Sequence, residues 1–394
     1  MPTSRTTTIP TTAMPITGTP TATRPDGWGP SVPGPRVTAI STAVPAHRFA
    51  QEEIMEALAG TTLGRSRAGR LMLRKIQSNA GVATRHFARP LAELRALTDF
   101  TDANRVWLDT ALELGERVLT EALETAGVRP GDVDAVISTT VTGLAVPSLE
   151  ARLAHRIGLR PDVRRIPLFG NGCAGGAAGL ARLRDYLLAH PGHVAVLLSV
   201  ELCSVAYQIQ DTSMANVVAG SLFGDGAAAV VATGARRHRE SGRGGEGGGQ
   251  GTPELVDSHS HLVPDSEDVL GWEIGSHGLR ILLSPEVPAL TAEHLPKAVR
   301  ELLGAHALTP GQVAAWIVHG GGPKVLTAVE RVLDLPPHAL EPTRRSLADK
   351  GNLSSASVLH VLEAYMRTPP PAGAPGVVAA MGPGFSIELV LTRW

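Results

Sequence analysis

The chain has 394 residues, of which 43% are hydrophobic, and its 36 basic residues are balanced by 37 acidic ones. This length indicates two domains or a duplicated unit with a large core, and the balanced charge excludes any obvious nucleic-acid or acidic-membrane partner. Two cysteines exclude a disulfide framework and favour a reducing compartment. No apolar run approaches the ~20 residues of a membrane span, so we expect a soluble, cytoplasmic protein.

Two polar segments divide the chain. Residues 1–34 are rich in threonine and proline and predict a disordered leader. Residues 234–253 are rich in glycine and arginine and predict a loop without core-forming side chains. These segments leave an N-terminal half, residues 35–233, and a C-terminal half, residues 254–394.

The first predicted elements are helices between apolar, β-prone segments. They are a strand over 36–44, helices over 51–58, 66–78 and 106–126, and a buried strand that ends at Thr140. A short buried strand over 165–169, a helix over 174–187 and strands over 193–200 and 227–232 follow. Helices that alternate with buried strands predict an α/β core with a largely parallel or mixed sheet.

Cys173 lies between the strand predicted over 165–169 and the next helix. Gly170, Asn171 and Gly172 allow a sharp turn before it. The start of a helix carries partial positive charge, which lowers the pKa of a thiol and favours the reactive thiolate. The alternative is a buried structural cysteine among small residues, and the turn alone does not decide between the two.

The C-terminal half repeats part of the N-terminal half at an offset of 180 residues. Proline, glycine, valine, alanine and isoleucine recur in 310–317 at the spacing they have in 130–137. A duplicated α/β unit brings matching strand ends to one face, where sites form. His319 follows the second copy and precedes a glycine-rich turn, so we expect its imidazole at that face.

Asn352 follows Gly351 at a third turn that opens a helix. A helix N-cap is one interpretation of this asparagine, and a neutral hydrogen-bond donor in the same cavity as Cys173 and His319 is the other. Cysteine, histidine and asparagine at three turn–helix junctions would supply a nucleophile, a base and a group that polarises a carbonyl.

Four ordered motifs carry a resemblance to a known family. They are Gly-Cys-Ala-Gly-Gly at 172–176, His-x-Gly-Gly-Pro at 319–323, Gly-Asn-x-Ser-Ser-Ala at 351–356 and Gly-Pro-Gly-Phe at 382–385. Together they resemble the type III polyketide synthase (chalcone synthase-like) family over about residues 35–394. The resemblance implies an α/β thiolase-like fold, in which duplicated βαβαβ halves form an α-β-α-β-α sandwich.

The resemblance also implies a chemistry. Cys173 would take an acyl starter from coenzyme A, and His319 and Asn352 would bind the thioester carbonyl of malonyl-CoA and promote its decarboxylation. Phe223 would line the junction between the CoA tunnel and the cavity. The family implies an iterative, homodimeric acyltransferase that uses CoA thioesters and needs neither a cofactor nor a metal.

Further residues are assigned by looser similarity. The predicted CoA-binding residues are Arg74, Lys75 and Lys324. The other predicted substrate-binding residues are Thr140, Val205, Met381, Gly382 and Pro383. Residues 263–272 resemble bacterial relatives that make alkylresorcinols and alkylpyrones, and only 4% of the chain is aromatic. We therefore expect an aliphatic, fatty acyl starter and a product of one of those two classes.

Several alternatives stay open at this point. A β-ketoacyl-ACP synthase III-like enzyme with a single condensation shares Cys, His and Asn, although the Ser354-Ser355-Ala356 order favours the polyketide branch. A catalytically inactive thiolase-fold partner and a papain-like hydrolase fit the three residues less well. Asp257, His259 and His261 alternate along a predicted strand, where a polar strand face explains them better than a metal site.

Overall fold

A computed structural model describes residues 33–59, 66–97, 99–240, 251–275 and 278–394. The strands are β1 (Arg36–Ala43), β2 (His47–Ala50), β3 (Thr84–Phe87), β4 (Ala135–Thr139), β5 (Arg164–Leu168), β6 (Val194–Leu202), β7 (Asp225–Thr233), β8 (Glu254–Leu262), β9 (Leu270–Gly275), β10 (Gly278–Leu283), β11 (Ala315–Val318), β12 (Pro375–Gly382) and β13 (Ser386–Arg393).

The helices lie between these strands. They are α1 (Gln51–Ala59), α2 (Arg67–Asn79), α3 (Leu91–Ala96), α4 (Phe100–Ala126), α5 (Leu149–Arg156), α6 (Gly175–Ala189), α7 (Cys203–Ala206), α8 (Met214–Leu222), α9 (Ala235–Glu240), α10 (Val287–Gly304), α11 (Pro323–Val332), α12 (Glu341–Lys350) and α13 (Ser355–Arg367). No helix in the described ranges is long and apolar enough to cross a membrane.

Helix α4 begins before its predicted start because Asp99 caps it. The Asp99 side chain accepts a hydrogen bond from the backbone N–H of Asp102, and Gly127 ends the helix with a φ of 61°. An aspartate at the N-cap and a left-handed glycine after the last turn are favourable helix boundaries. The apolar face of α4 then covers β1, β4, β6 and β7.

Nine strands form one mixed sheet in the order β11-β12-β13-β8-β1-β7-β6-β4-β5. Strands β4, β5 and β6 pair in parallel, as do β11 and β12. The two halves of the sheet meet between β1 and β8, where Arg36 pairs with Glu254. The expectation of a mixed sheet is confirmed.

Helices form three layers around this sheet. Helix α4 packs outside the N-terminal half, and α10 and α11 pack outside the C-terminal half. Helices α6 and α13 lie between the halves and contact each other and strands from both. This is the predicted thiolase-like α-β-α-β-α sandwich, and it brings the first turns of α6 and α13 together.

The repeat at an offset of 180 residues appears as matching local structure. A 3-10 turn, Pro130–Asp132, leads into β4, and a second, Pro310–Gln312, leads into β11. The two strands occupy equivalent positions in the sheet. Counted outward from the junction of β1 and β8, β4 is the fourth strand of its half and β11 is the fourth strand of the other half. His319 therefore lies one residue beyond the C-terminal counterpart of β4.

Two sequence-based expectations were wrong in detail. Strand β5 was expected to be buried, but Arg164, Arg165 and Pro167 are exposed because β5 is the outermost strand of its half. The predicted loop over 234–253 contains helix α9, and its residues 241–250 lie outside the described residues. The predicted leader lies outside them as far as residue 32.

Candidate active site

Cys173 lies in a 3-10 turn, Gly172–Ala174, directly before α6. Gly172 has a φ of 47°, and a Cβ atom there would lie 2.6 Å from the Pro383 ring. Gly382 packs equally closely against the Asn171 carbonyl. The end of β12 therefore packs directly against the turn that carries Cys173. Side chains at positions 172 and 382 would prevent this close packing, so both positions need glycine.

The Cys173 thiol is almost completely buried. It donates a hydrogen bond to Ser354 Oγ at 3.7 Å, and 9% of the residue is exposed. Burial raises the pKa of the thiol to about 12, and the Glu201 carboxyl group nearby raises it further while the Ser354 contact opposes the shift. The expectation of a lowered pKa was wrong, because desolvation of a thiolate outweighs its favourable position at the helix start.

His319 follows β11 and is 2% exposed. Its backbone N–H donates to the Ala379 carbonyl at 2.8 Å, which fixes the residue to β12. Within the described ranges the ring atom Nδ1 has no hydrogen-bond partner. Burial lowers the pKa of the imidazole to about 4, so the ring is neutral at physiological pH and can donate one hydrogen bond and accept another.

Asn352 is held from both sides of its backbone. Its N–H donates to the Leu222 carbonyl at 2.8 Å, and its own carbonyl accepts from Gly224 N–H at 2.9 Å. Its side-chain Oδ1 accepts from the Ser354 N–H at 2.9 Å. Because Oδ1 is the acceptor, the amide group Nδ2 is left as a donor for a ligand. The N-cap residue of α13 is Ser354 and not Asn352. This favours the interpretation of Asn352 as a hydrogen-bond donor over its interpretation as a helix N-cap.

Glu201 is a site residue that the sequence analysis did not single out. It is the penultimate residue of β6, whose other residues are apolar or small, and this is the signal that could have revealed it. Its Oε1 accepts from Ser355 Oγ at 2.5 Å and Ser354 Oγ at 3.3 Å, and its Oε2 accepts from Thr142 Oγ1. Burial raises the pKa of Glu201 to about 7. A titratable carboxyl group therefore lies one hydrogen bond from the residue that contacts the Cys173 thiol.

The predicted substrate-binding residues are spread around these groups. Phe223 directly follows α8 and forms a β-bridge with Asn352. Thr140 follows β4, and its Oγ1 lies 3.5 Å from Thr142 Oγ1. Met381 is buried in β12. Val205 packs in the core under α4.

The predicted CoA-binding residues lie on the surface. Arg74 and Lys75 are exposed on α2, and Lys324 is exposed at the start of α11. The two helices are neighbours, because a Cβ atom on Gly81 would lie 2.8 Å from the Pro323 ring. The residues predicted as an alternating polar strand face lie elsewhere, on β8. Asp257 contacts His306, and His259 and His261 contact Glu301 and His294.

Comparison with known proteins identifies the family. Family models for the N-terminal and C-terminal domains of chalcone and stilbene synthases match residues 33–236 and 254–394. The chain belongs to the type III polyketide synthases. A 1,3,6,8-tetrahydroxynaphthalene synthase of Streptomyces peucetius subsp. caesius is 50% identical to this chain. The alignment covers 92% of this chain and 93% of that relative. A putative chalcone synthase of Bacillus subtilis is 32% identical over 91% of this chain and 98% of its own.

Solved structures agree with this assignment. The crystal structure of a 1,3,6,8-tetrahydroxynaphthalene synthase from Streptomyces coelicolor superposes with a TM-score of 0.83 at 32% identity, covering 91% of this chain and 99% of that one. The synthase is therefore an acyltransferase that condenses malonyl-CoA iteratively and takes CoA thioesters as substrates. The expected alkylresorcinol or alkylpyrone product stays a prediction, since both of these Streptomyces relatives are named for a naphthalene.

Proposed function

We propose that Cys173, His319 and Asn352 carry the condensation chemistry. The observation that supports this most is the pair of donors that the fold leaves available at two of the three turns, the neutral His319 imidazole and the Asn352 amide. Ser354, two residues after Asn352, contacts the buried Cys173 thiol. His319 Nδ1 has no hydrogen-bond partner in the part of the chain that the structure describes, and Asn352 contacts the Ser354 N–H through Oδ1 and not through Nδ2. A developing enolate oxygen needs such preorganised donors in a site that excludes water.

The loading step forms one bond and breaks one. As its proton moves to the His319 imidazole, the Cys173 sulfur bonds to the carbonyl carbon of the starter thioester, and the coenzyme A thiolate leaves and is protonated. The sulfur attacks only as its proton leaves, and His319 is the base that we assign to this transfer. The result is an acyl group on Cys173 and free coenzyme A.

The extension step uses the two donors. When malonyl-CoA loses carbon dioxide, the electrons of the broken C–C bond move into the thioester and place negative charge on its oxygen. His319 and Asn352 stabilise this enolate, whose carbon then attacks the acyl carbonyl and releases the Cys173 sulfur. Asparagine suits the position because it donates without charge, whereas a carboxylate would repel the enolate.

We propose malonyl-CoA as both starter and extender and a 1,3,6,8-tetrahydroxynaphthalene-type product. The identity of 50% along nearly the whole chain of the Streptomyces peucetius synthase supports this. The test is incubation with malonyl-CoA alone, followed by mass spectrometry. Formation of the naphthalene is expected, and strict dependence on an added acyl-CoA would refute the malonyl starter.

A fatty acyl starter, as the sequence analysis expected, remains the second candidate. Only 4% of the chain is aromatic, and Thr140, Met381, Gly382 and Pro383 are not aromatic, which is the observation that favours an aliphatic starter. The same incubation with a series of acyl-CoA chain lengths tests this candidate. Alkylpyrone or alkylresorcinol masses that follow the added chain would support it.

We propose that Arg74, Lys75 and Lys324 bind the phosphates of coenzyme A. No carboxylate forms an ion pair with these cations among the described residues, so their charge is available to a ligand. The neighbouring surface depression between Gly81, Pro323 and Arg344 measures about 440 Å³. Exposed cations beside such a depression favour phosphate binding. Replacing all three by glutamine should raise the KM for malonyl-CoA more than it lowers kcat.

We propose that Phe223, Thr140, Met381, Gly382 and Pro383 line the substrate cavity. Phe223 and the end of β12 contact the segments that carry Asn352 and Cys173, which supports the assignment. Val205 keeps only an indirect role in this proposal, because it packs under α4.

We also propose a homodimer that forms along β5. This strand is an exposed sheet edge whose unpaired backbone groups can pair with a second copy. One exposed apolar side chain directly follows β5, and two more lie in the segment after the neighbouring strand β4. They are Leu144, Val146 and Phe169, with exposed fractions of 39%, 94% and 52%. An apolar group beside an open edge favours an interface.

Three further expectations stay predictions. The chemistry above uses only thiol, imidazole and amide groups, so we propose that it requires no metal or cofactor. Both cysteines are free, which favours a reducing compartment such as the cytoplasm. Limited proteolysis within 234–253 tests the proposed division into halves at 35–233 and 254–394.

A further inference from the structure

A small cavity lies next to the active site and is not explained by the condensation chemistry. It measures about 70 Å³ and lies between α1, α3 and the segment from α7 to Phe223. Its apolar walls include Ile54, Ala57 and Leu94, and its polar walls include Arg85, Arg95 and Tyr207. The walls thus combine an apolar surface with positive charge.

Arg85 is the unusual residue of this cavity, because it is a cation that is 1% exposed. Its Nε donates to Gln51 Oε1 at 3.1 Å, and its Nη1 donates to the carbonyls of Gly220 and Phe223 at 2.8 Å each. Nη2 has no partner among the described residues. A buried guanidinium that keeps one amino group unused is a candidate for binding an acceptor from a ligand.

The nearest carboxyl group does not satisfy this cation directly. Asp225 uses its oxygens for the backbone N–H groups of Ala88 and Ser204 and for the Ser204 hydroxyl. Burial raises the pKa of Asp225 to about 7 and lowers that of Arg85 to about 9. Arg85 therefore has no hydrogen-bonded counter-ion, which an anionic ligand would supply.

The cavity adjoins the catalytic groups. Phe223 lines it and forms the β-bridge with Asn352. Cys203 lines it as well. Two residues after Asn352, the Ser354 hydroxyl contacts the Cys173 thiol. The segment that pairs with the cavity wall at Phe223 is therefore the segment that contacts the cysteine.

We propose that Arg85 binds the free carboxylate of a dicarboxylic acyl starter, namely malonyl on Cys173, in this cavity. The inference rests on the malonyl starter of the proposed function. The planar guanidinium matches a carboxylate in geometry and charge, whereas an acetyl or alkyl starter offers it no acceptor. Binding also stabilises the carboxylate anion and so opposes loss of carbon dioxide from the starter, while the extender loses it at His319 and Asn352.

The test measures which starter is loaded. The full-length synthase is mixed briefly with equal amounts of malonyl-CoA and acetyl-CoA that carries a deuterated methyl group, and the adduct on Cys173 is weighed by mass spectrometry. The deuterium separates acetyl loaded directly from acetyl formed by decarboxylation of malonyl. Arg85→Gln should lower the ratio of malonyl-derived to deuterated adduct about tenfold, and Arg85→Lys, which keeps the charge, should lower it less.

Two more variants keep the test decisive if Arg85→Gln does not fold. Ala57→Leu fills the cavity without touching a hydrogen bond of Arg85 and should also lower the ratio. Arg184→Gln is the matched control, because Arg184 is a mostly buried arginine that donates to the Val256 carbonyl away from the site, and it should leave the ratio unchanged.

The outcomes separate the two proposals. An unchanged ratio in Arg85→Gln or in Ala57→Leu overturns the carboxylate site, even if the wild-type synthase makes the naphthalene from malonyl-CoA alone. A decrease in Arg95→Gln without one in Arg85→Gln also overturns it, since the exposed cation would then bind the carboxylate. A wild-type synthase that loads no malonyl refutes the malonyl starter itself.

Discussion

The two halves of the sheet differ at their outer edges. Counted outward from the junction of β1 and β8, the N-terminal half has the strands β1, β7, β6, β4 and β5, and the C-terminal half has β8, β13, β12 and β11. The first four strands correspond in order, and β5 has no counterpart in the described part of the C-terminal half. The duplication is therefore complete around the active site and incomplete at the periphery.

This difference changes what each edge can do. In the C-terminal half, β11 is fully buried, and Thr343 of α12 donates to the Val318 carbonyl at 3.1 Å. In the N-terminal half, β5 is exposed. One outer edge of the sheet is therefore covered and the other is open. An open edge can pair with a strand of a second copy, so only the N-terminal half offers an edge for the proposed dimer.

The halves also contribute different chemistry from equivalent positions. Helices α6 and α13 are paired in the central layer, and Cys173 precedes the first while Asn352 and Ser354 precede the second. In the proposed chemistry, the N-terminal half thus supplies the nucleophile, and it also carries the buried acid Glu201. The C-terminal half supplies the proposed neutral donors.

Loss of the nucleophile should have the largest effect. Cys173→Ala should lower the release of coenzyme A by at least about a thousandfold, because no other group at this position can form the thioester. Mass spectrometry after incubation with acyl-CoA should find no adduct on this variant, while Cys203→Ser should still carry one at Cys173. An adduct on Cys173→Ala would move the nucleophile elsewhere and remove the proposed division of labour between the halves.

A change at the donor of the C-terminal half should separate extension from loading. Asn352→Asp should slow decarboxylation of malonyl-CoA by roughly 10²–10³-fold, because it replaces a donor by a charge that repels the enolate. Loading of Cys173 should be affected much less, since the proposed loading step uses the Cys173 thiol and the His319 imidazole and not the Asn352 amide. Equal losses in carbon dioxide release and in adduct formation would contradict this separation.

The two halves should respond to pH with opposite signs. The pKa of His319 is about 4 in the folded protein and 6.5 when unperturbed, so the unfolded chain binds the extra proton and stability falls as pH drops through this range. The pKa of Glu201 is about 7 against 4.5, so the folded protein binds the extra proton and stability falls as pH rises between those values. Each contribution amounts to at most about 3 kcal/mol.

Denaturant unfolding between pH 4 and 7.5 measures both contributions. Relative to wild type, His319→Gln should lose less stability on acidification, and Glu201→Gln should lose less on the approach to neutral pH. Parallel wild-type and variant curves for either residue would show that its protonation does not change on folding.

The open edge gives the smallest predicted effect. Phe169→Asp places a charge on the apolar group beside β5 and should raise the dissociation constant of the proposed dimer at least about tenfold, or 1.4 kcal/mol. Sedimentation velocity over a concentration series measures this. Ile274→Asp is the matched control, because Ile274 is similarly exposed, at 63%, in the C-terminal half. Equal dissociation of both variants, or a wild-type monomer, would refute an interface at β5.

The sequence by itself determined the fold class, the family and the three turns that carry Cys173, His319 and Asn352. These follow from local patterns: the glycines that permit sharp turns, the apolar periodicity of the helices and strands, and a repeat at a constant offset. Glu201 left a weaker local signal, a charge in an apolar strand.

Only the tertiary structure decided the electrostatics and the surfaces. The position of Cys173 before a helix predicted a lowered pKa, but complete burial raised it, and burial depends on how β12 and α13 pack against the turn. Strand β5 appeared apolar enough for the interior, yet its exposure depends on the absence of a further strand beside it among the described residues. The orphaned amino group of Arg85 likewise depends on residues far apart in the chain, which no local pattern brings together.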